Sequence, residues 1–231
     1  MSAVLITSAS RGIGLEFVRQ YAEDGWRVFA ACRDPATAAK LEPIARAAKG
    51  SVEVLKMDVT DAEGVRRAAK QLGEQPIDVL VNSAGIMGGG GQRLGDMDYA
   101  AWSEVLDVNT LGPMRVTEAF IDHVRRSPRK TVVTITSGMG SLADNTSGGW
   151  IAYRSSKAAV NMVMRSLALD LKSRGIICVV LNPGWVKTDM GGPNANITPQ
   201  KSVSNMRRVI DKLSAADSGK FLHHDGSEYP W

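Results

Sequence analysis

The sequence predicts one α/β domain built on a doubly wound parallel sheet. Three observations point there. Short apolar runs alternate with helical periodicity almost from end to end. The apolar runs are nearly continuous rather than alternating with polar residues, which fits strands covered on both faces. No linker, repeat or low-complexity tract divides the 231 residues, so 1–231 reads as a single domain.

The elements follow in order. Val4–Thr7 is a short apolar strand ending in a Ser/Gly turn. Ile13, Phe17, Val18, Tyr21 and Ala22 have helical spacing, and Gly25 follows as a stop. Arg27–Ala31 reads as the second strand, 36–48 as a helix and Val52–Met57 as the third strand. Thr60 and Asp61 open a helix over 61–72, and Ile77–Val81 is the fourth strand. A long helical stretch over 98–125 is interrupted near Gly112-Pro113. The β-branched run Thr131–Thr136 is the fifth strand, a helix spans 151–173, and Ile176–Leu181 is the sixth strand. Lys220–Leu222 is the last strand candidate. Right-handed crossovers then wind helices over both faces. Gly88–Gly91 reads as a flexible loop at the ligand-binding edge, and 191–214, beginning with an aperiodic Gly/Pro/Asn run, as a cover over the substrate.

Composition excludes several classes. The net charge of +4 is small and spread along the chain, and the basic run Arg125–Lys130 reads as a solvated helix end followed by a turn. No nucleic-acid partner is expected. No run approaches the ~18 apolar residues of a membrane-spanning helix, and no leader pattern opens the chain. Cys32 and Cys178 lie in strand-like runs without metal-ligand spacing, so no metal is expected and a reducing, cytoplasmic setting is.

The first strand runs into Thr7-Ser8-Ala9-Ser10-Arg11-Gly12-Ile13-Gly14. Glycines at a strand-to-helix turn let backbone approach a pyrophosphate, and the helix N-terminus favours the anion. The end of the second strand normally carries a carboxylate for the ribose of NAD. Here Arg33 stands there, and with Arg11 it would clamp a 2′-phosphate, which favours NADP. Asp34, one position later, keeps the NAD alternative open. Asp58 and Val59 fit the adenine side. Asn82, Ala84 and Gly85 would lie along the cofactor.

Tyr153 and Lys157 are four apart on a helix and share a face. A cation within about 4–6 Å lowers a phenol's pKa from about 10, so Lys157 would tune Tyr153 for proton exchange. Ser137 ends the fifth strand and would hydrogen-bond the substrate oxygen, with Ser141 a rival for that role. Asn109 would hold a water linking Lys157 to solvent. Pro183 and Gly184 end the sixth strand, and Val186 and Thr188 would fix the nicotinamide carboxamide. Met139, Trp150, Trp185 and Met190 would line an apolar substrate mouth.

Taken together, these motifs resemble the short-chain dehydrogenase/reductase family along essentially the whole chain. The resemblance implies a seven-stranded parallel Rossmann sheet in the order 3-2-1-4-5-6-7. It also implies a Ser137–Tyr153–Lys157–Asn109 tetrad and pairing of subunits through the helices near 98–125 and 151–173, as a homodimer or homotetramer. Val28–Pro35, Gly148-Gly149-Trp150, Tyr153–Lys157 and the Gly219–Trp231 terminus are similar to the carbonyl-reductase-like branch that includes sniffer and C-factor proteins. That branch implies NADPH and a small carbonyl or alcohol substrate. The sequence departs from the family at Ser8, where the first turn glycine is expected, at Ser83, and in a Ser137–Tyr153 gap three residues longer than usual. The expected activity is hydride transfer between NADP(H) and a carbonyl with Tyr153 as acid/base. The alternative is a non-catalytic NADPH-binding signalling or interaction protein.

Overall fold

A computed structural model describes residues 1–231. The strands are β1 (Ala3–Ile6), β2 (Arg27–Cys32), β3 (Val52–Lys56), β4 (Val79–Asn82), β5 (Gln92–Arg93), β6 (Asp96–Met97), β7 (Thr131–Ile135), β8 (Ile177–Asn182) and β9 (Phe221–His223). Seven of them form one sheet in the order β3-β2-β1-β4-β7-β8-β9, every neighbouring pair parallel. Without the small antiparallel hairpin β5–β6, this is the expected 3-2-1-4-5-6-7 sheet. The chain reverses its winding between β1 and β4, and Ile6 sits level with both Ala30 and Val81, so the carboxyl ends form one edge at that switch point.

The strands are apolar throughout because their alternating side chains feed two cores. Ala3 and Leu5 point into one, with Phe120 of α5 (Gly112–Arg126) and Met164 of α6 (Ile151–Asp170). The helix α3 (Ala62–Gln71) adds Val65 and Ala68 to it. Val4 and Ile6 point into the other, with Phe17 and Tyr21 of α1 (Gly12–Glu23) and Leu41 of α2 (Leu41–Ala47).

Four features depart from expectation. The stretch 191–214 divides in two, because Pro199–Lys212 is a regular helix, α7, whose Val203, Met206 and Ile210 are buried against the same core as α1. Thr198 caps it, accepting from Lys201 N, and Pro199 stands in its first turn. The predicted break near Gly112-Pro113 is instead a π-helical turn, Asp107–Leu111, joining α4 (Tyr99–Leu106) to α5. Pro113 has no N–H for the carbonyl four residues back, that of Asn109, and the wider turn absorbs the defect. The last strand starts one residue later than expected, at Phe221. Ser8 adopts φ +55°, the left-handed conformation a glycine would take without strain.

At the carboxyl edge, Thr7 joins two strand ends. Its Oγ1 accepts from the backbone N–H groups of Ser83 (2.9 Å) and Ala84 (3.0 Å). Both donors would lose their partner in Thr7→Val, which keeps the shape. The expected loss is about 2 kcal/mol or more of stability, measured by urea unfolding at neutral pH.

Candidate active site

A cavity of about 1130 Å³ runs along this edge. One half is formed by the turn after β1. Arg11, the N-cap of α1, is extended (φ −156°) and supplies no side-chain cap, and no acidic residue stands in the first turn. The first N–H groups of α1 therefore point out without an acid to satisfy them, an arrangement suited to an anion. Gly14 is needed for a packing reason, since a Cβ there would lie 2.3 Å from the Ser8 carbonyl oxygen. At Gly85 a Cβ would come within 3.4 Å of Lys157 Nζ and 3.5 Å of Asn109 Oδ1. Bare backbone at these positions leaves the cradle that a dinucleotide needs.

Of the residues expected on a cofactor, Arg11, Gly12, Ile13, Gly14, Gly85, Tyr153, Lys157, Pro183, Gly184, Val186 and Thr188 line the cavity. Thr7, Ser10, Arg33, Asp58, Val59, Asn82 and Ala84 do not line it. Several have identifiable framework work. Asp58 accepts from Thr60 N (2.9 Å) and Oγ1 (2.7 Å). Asn82 Nδ2 donates to Thr117 and Thr134, bridging β4 to α5 and β7. Val59 packs against Gly112, where a Cβ would meet its Cγ2 at 2.9 Å. Arg33 is exposed. Asp34, the residue that would argue for NAD, turns its Oδ1 to Ala36 N (3.1 Å) and caps the short turn Pro35–Thr37.

The other half is built from β7, α6 and the π turn. Ser137 ends the β7 segment on the cavity wall, its Oγ accepting from Met139 N (3.1 Å) and retaining its proton for donation. Ser141 is off the wall. Its hydroxyl donates to Trp231 O (3.0 Å) and accepts from Asp144 N (3.0 Å), so geometry favours Ser137. Tyr153 and Lys157 share the inner face of α6 and are both buried. Lys157 Nζ lies 5.8 Å from the centre of the Tyr153 ring and donates to Ile135 O (3.1 Å).

The protonation balance differs from the sequence expectation. Burial raises the Tyr153 pKa, and the neighbouring Ser137 hydroxyl pulls it only partly back. Burial lowers Lys157 to about 8. The lysine is itself desolvated, which disfavours its charge, and it does not offset the desolvation of the phenol.

Asn109 is completely buried and its amide is fully engaged. Oδ1 accepts from Ile86 N (2.8 Å), and Nδ2 donates to Ile86 O (2.8 Å) and Ser156 Oγ (3.0 Å). Both amide N–H groups of Asn109 are therefore used within the protein, and neither is left to hold the water expected there. Ser156 Oγ in turn donates to Tyr153 O (2.8 Å).

Sequence reasoning missed Gln92. Its Oε1 accepts from Tyr153 N (3.0 Å), satisfying an open N–H at the start of α6. Its Nε2 donates to Met87 O and Gly89 O, tying the glycine loop to the same helix. Nothing local in the sequence marks it. The substrate end holds Met139, Trp185 and Met190 as expected, but Trp150 is not on the wall; it is the left-handed N-cap residue of α6. Polar residues also line this end: Asp144, Arg154, His223, His224 and Tyr229. Tyr229 Oη donates to Asp144 Oδ2 (2.7 Å), closing the C-terminal segment over the loop after Ser137. The segment from Trp185 to Ile197 folds on itself, with Trp185 O accepting from Asn196 N and Ile197 N and Trp185 Nε1 donating to Gly191 O (2.7 Å). No cluster of three or more His, Cys, Asp or Glu is placed to hold a metal, and no helix is long and apolar enough to cross a membrane.

The family description "short chain dehydrogenase" matches residues 2–197. The chain belongs to the short-chain dehydrogenase family. C-signal of Myxococcus xanthus is 49% identical over 156 residues, which cover 68% of this chain and 93% of that protein. Among solved structures, the carbonyl reductase Sniffer of D. melanogaster superposes with a TM-score of 0.93 at 30% identity over the full length of both chains. The NADPH-bound carbonyl reductase from chicken fatty liver does so with a TM-score of 0.90 at 33% identity, over 100% of this chain and 99% of that one. The short-chain dehydrogenase frame thus accounts for the sheet order and for the cavity at its carboxyl edge.

Buried Lys157 makes stability depend on pH. Unfolding restores an ordinary lysine, which titrates near 10.5, so between about pH 8 and 10.5 the unfolded chain holds more protons than the folded one. Stability contributed by this site therefore rises with pH. Relative to Lys157→Met, the wild-type chain is expected to gain about 2 kcal/mol between pH 8 and 9.5, read from urea unfolding at each pH.

Proposed function

We propose that this protein is an NADP(H)-dependent carbonyl reductase, acting on a small aldehyde or ketone or on the alcohol in reverse. The observation that carries the reading is the meeting of an uncapped glycine-turn helix with Ser137, Tyr153 and Lys157 on one cavity wall. NADPH supplies the hydride when bound. Arg11, Gly12–Gly14 and the α1 N-terminus would hold its pyrophosphate, Arg11 and Arg33 its 2′-phosphate, and Pro183–Thr188 its nicotinamide end. Likeness to the NADPH-bound chicken reductase supports that choice.

Within the chain, Ser137 donates to the substrate oxygen and holds it beside the phenol. Tyr153, kept protonated by burial, is the proton donor as that oxygen gains charge. Lys157, close to neutrality at about 8, exchanges the proton onward, through water held at the Asn109 carbonyl. Charge on the lysine, together with a cationic cofactor in the reverse direction, would supply the stabilisation of phenolate that the free chain lacks. The lid role falls to residues 186–197. The setting we infer is cytoplasmic, and pairing through α4, α5 and α6 as a homodimer or homotetramer is part of the same reading.

A second reading is favoured by the 49% identity to C-signal: a cofactor-binding protein that signals without turnover. Tyr153→Phe separates the two. The expected result is a fall in NADPH-linked turnover of an aromatic aldehyde of at least about 100-fold. The Kd for NADPH, read by tryptophan fluorescence, should stay within a few-fold. No turnover in the wild-type chain, with tight NADPH binding, would favour the signalling reading. For cofactor choice, Arg33→Ala should raise KM for NADPH about tenfold and leave KM for NADH almost unchanged. Equal loss with both cofactors would remove the 2′-phosphate assignment.

A further inference from the structure

The substrate end contains a donor fixed in one tautomer. Arg208 Nη2 donates to Asn205 Oδ1, and arginine has no acceptor, so the Asn205 amide is oriented with Nδ2 free. Asn205 Nδ2 lies 3.0 Å from His224 Nδ1 and must donate to it. His224 therefore accepts at Nδ1 and carries its proton on Nε2. That Nε2–H has no partner within the protein, and His224 lines the cavity. Gly184 leaves room for the ring: a Cβ there would lie 3.0 Å from His224 Cδ2 and 3.4 Å from Nε2.

Sheet register sets the span. Asn182 pairs with His223, and Thr136 N bonds Leu181 O, so Ser137, Pro183 and His224 lie one residue beyond the same ladder. Ser137 and His224 are thus two parallel strands apart, about 10 Å between main chains. Their side chains bracket a substrate several bonds long, not a single carbonyl group.

The charged and titratable neighbours of the ring are His223, Lys201 and Asp225. Asp225 is occupied by Ser227, its Oδ1 accepting from the Ser227 N–H and hydroxyl. Burial, helped by His223 and Lys201 and opposed by Asp225, lowers the His224 pKa, which keeps the ring a neutral donor. A second unsatisfied atom is close by, since His223 Nδ1 is buried without a partner.

We propose that His224 is a specificity-determining residue whose Nε2–H reads a second acceptor oxygen, carboxylate or carbonyl, several bonds from the reacting carbonyl. Asn205 is its positioning residue. The inference rests on the reductase reading above and names its substrate class: aldehydes or ketones bearing a remote oxygen acceptor.

The test uses the full chain with NADPH and three aldehydes of similar outline: 4-formylbenzoate, methyl 4-formylbenzoate and 4-isopropylbenzaldehyde. The first two carry the remote acceptor, one charged and one neutral. His224→Phe should lower kcat/KM for 4-formylbenzoate about tenfold more than for 4-isopropylbenzaldehyde, a hydrogen bond's worth. The ester arm shows whether a neutral oxygen is read as well. His224→Gln, which can place a donor near the same point, should restore part of the preference, and Asn205→Ala should lose part of it. Equal losses on all three aldehydes would overturn the proposal, as would a rise in KM for NADPH with the aldehyde ratio unchanged. If wild type reduces none of them, the reductase reading fails by itself. The Kd of 4-(hydroxymethyl)benzoate for the NADP complex then decides the His224 assignment, expected about tenfold weaker in His224→Phe and refuted if equal. A melting curve for each variant separates these outcomes from loss of fold.

Discussion

The site depends on the buried Asn109 amide. It takes both main-chain groups of Ile86 and passes a hydrogen bond through Ser156 to the carbonyl of Tyr153. One side chain therefore fixes the distance between the loop after β4 and the turn of α6 that carries the phenol. A fully buried amide cannot drop these bonds without leaving polar atoms unpaired. The π turn that carries Asn109 follows from Pro113, so a main-chain defect and a side-chain clamp occur together. Gln92 repeats the device from the other side, holding Tyr153 N and the glycine loop. The glycines at 88–91 are consequently held in place where the sequence suggests freedom.

Rigid placement has an electrostatic consequence. Tyr153 and Lys157 are both withdrawn from water, and each is pushed toward its neutral form. Their pKa values, ordinarily close together, move apart, the phenol raised and the ammonium lowered to about 8. With the phenol the weaker acid of the two, a new charge in the cavity is needed before its proton leaves. The cation-and-phenol picture read from the four-residue spacing is outweighed here by burial of the phenol itself.

Much of this was legible from residue order. Strand alternation gave the sheet, because two-sided burial makes each strand uniformly apolar. The Gly12/Gly14 turn and the four-residue spacing of Tyr153 and Lys157 located both halves of the cavity. The helix α7 was missed, although Thr198-Pro199 at its start and Val203, Met206 and Ile210 at helical spacing carry its signal, because the glycine-rich run before it masks the change. Other features depend on tertiary contacts that no local pattern carries. Gln92 reaches Tyr153 across 61 positions, and Tyr229 reaches Asp144 across 85. Ser8 is different: the resemblance already marks it as a glycine position, and its left-handed backbone, with Gly14 pressed against its carbonyl, is what the sequence does not show.

The two ends of the cavity are built from separate parts of the chain. The proton-handling groups come from β7, the π turn and α6, all clamped through Asn109 and Gln92. The far wall comes from His223 and His224 at the end of β9 and from the C-terminal Tyr229, which is fixed to Asp144, while the Trp231 carbonyl accepts from Ser141 and Ala143. The only sheet link between them is β8. A change at the β9 wall can therefore alter the shape of that end without moving the Tyr153–Ser137 geometry, provided the register through Asn182 is kept. The edge strand has a neighbour on one side only, so its end is free to carry different side chains while the middle of the sheet stays fixed.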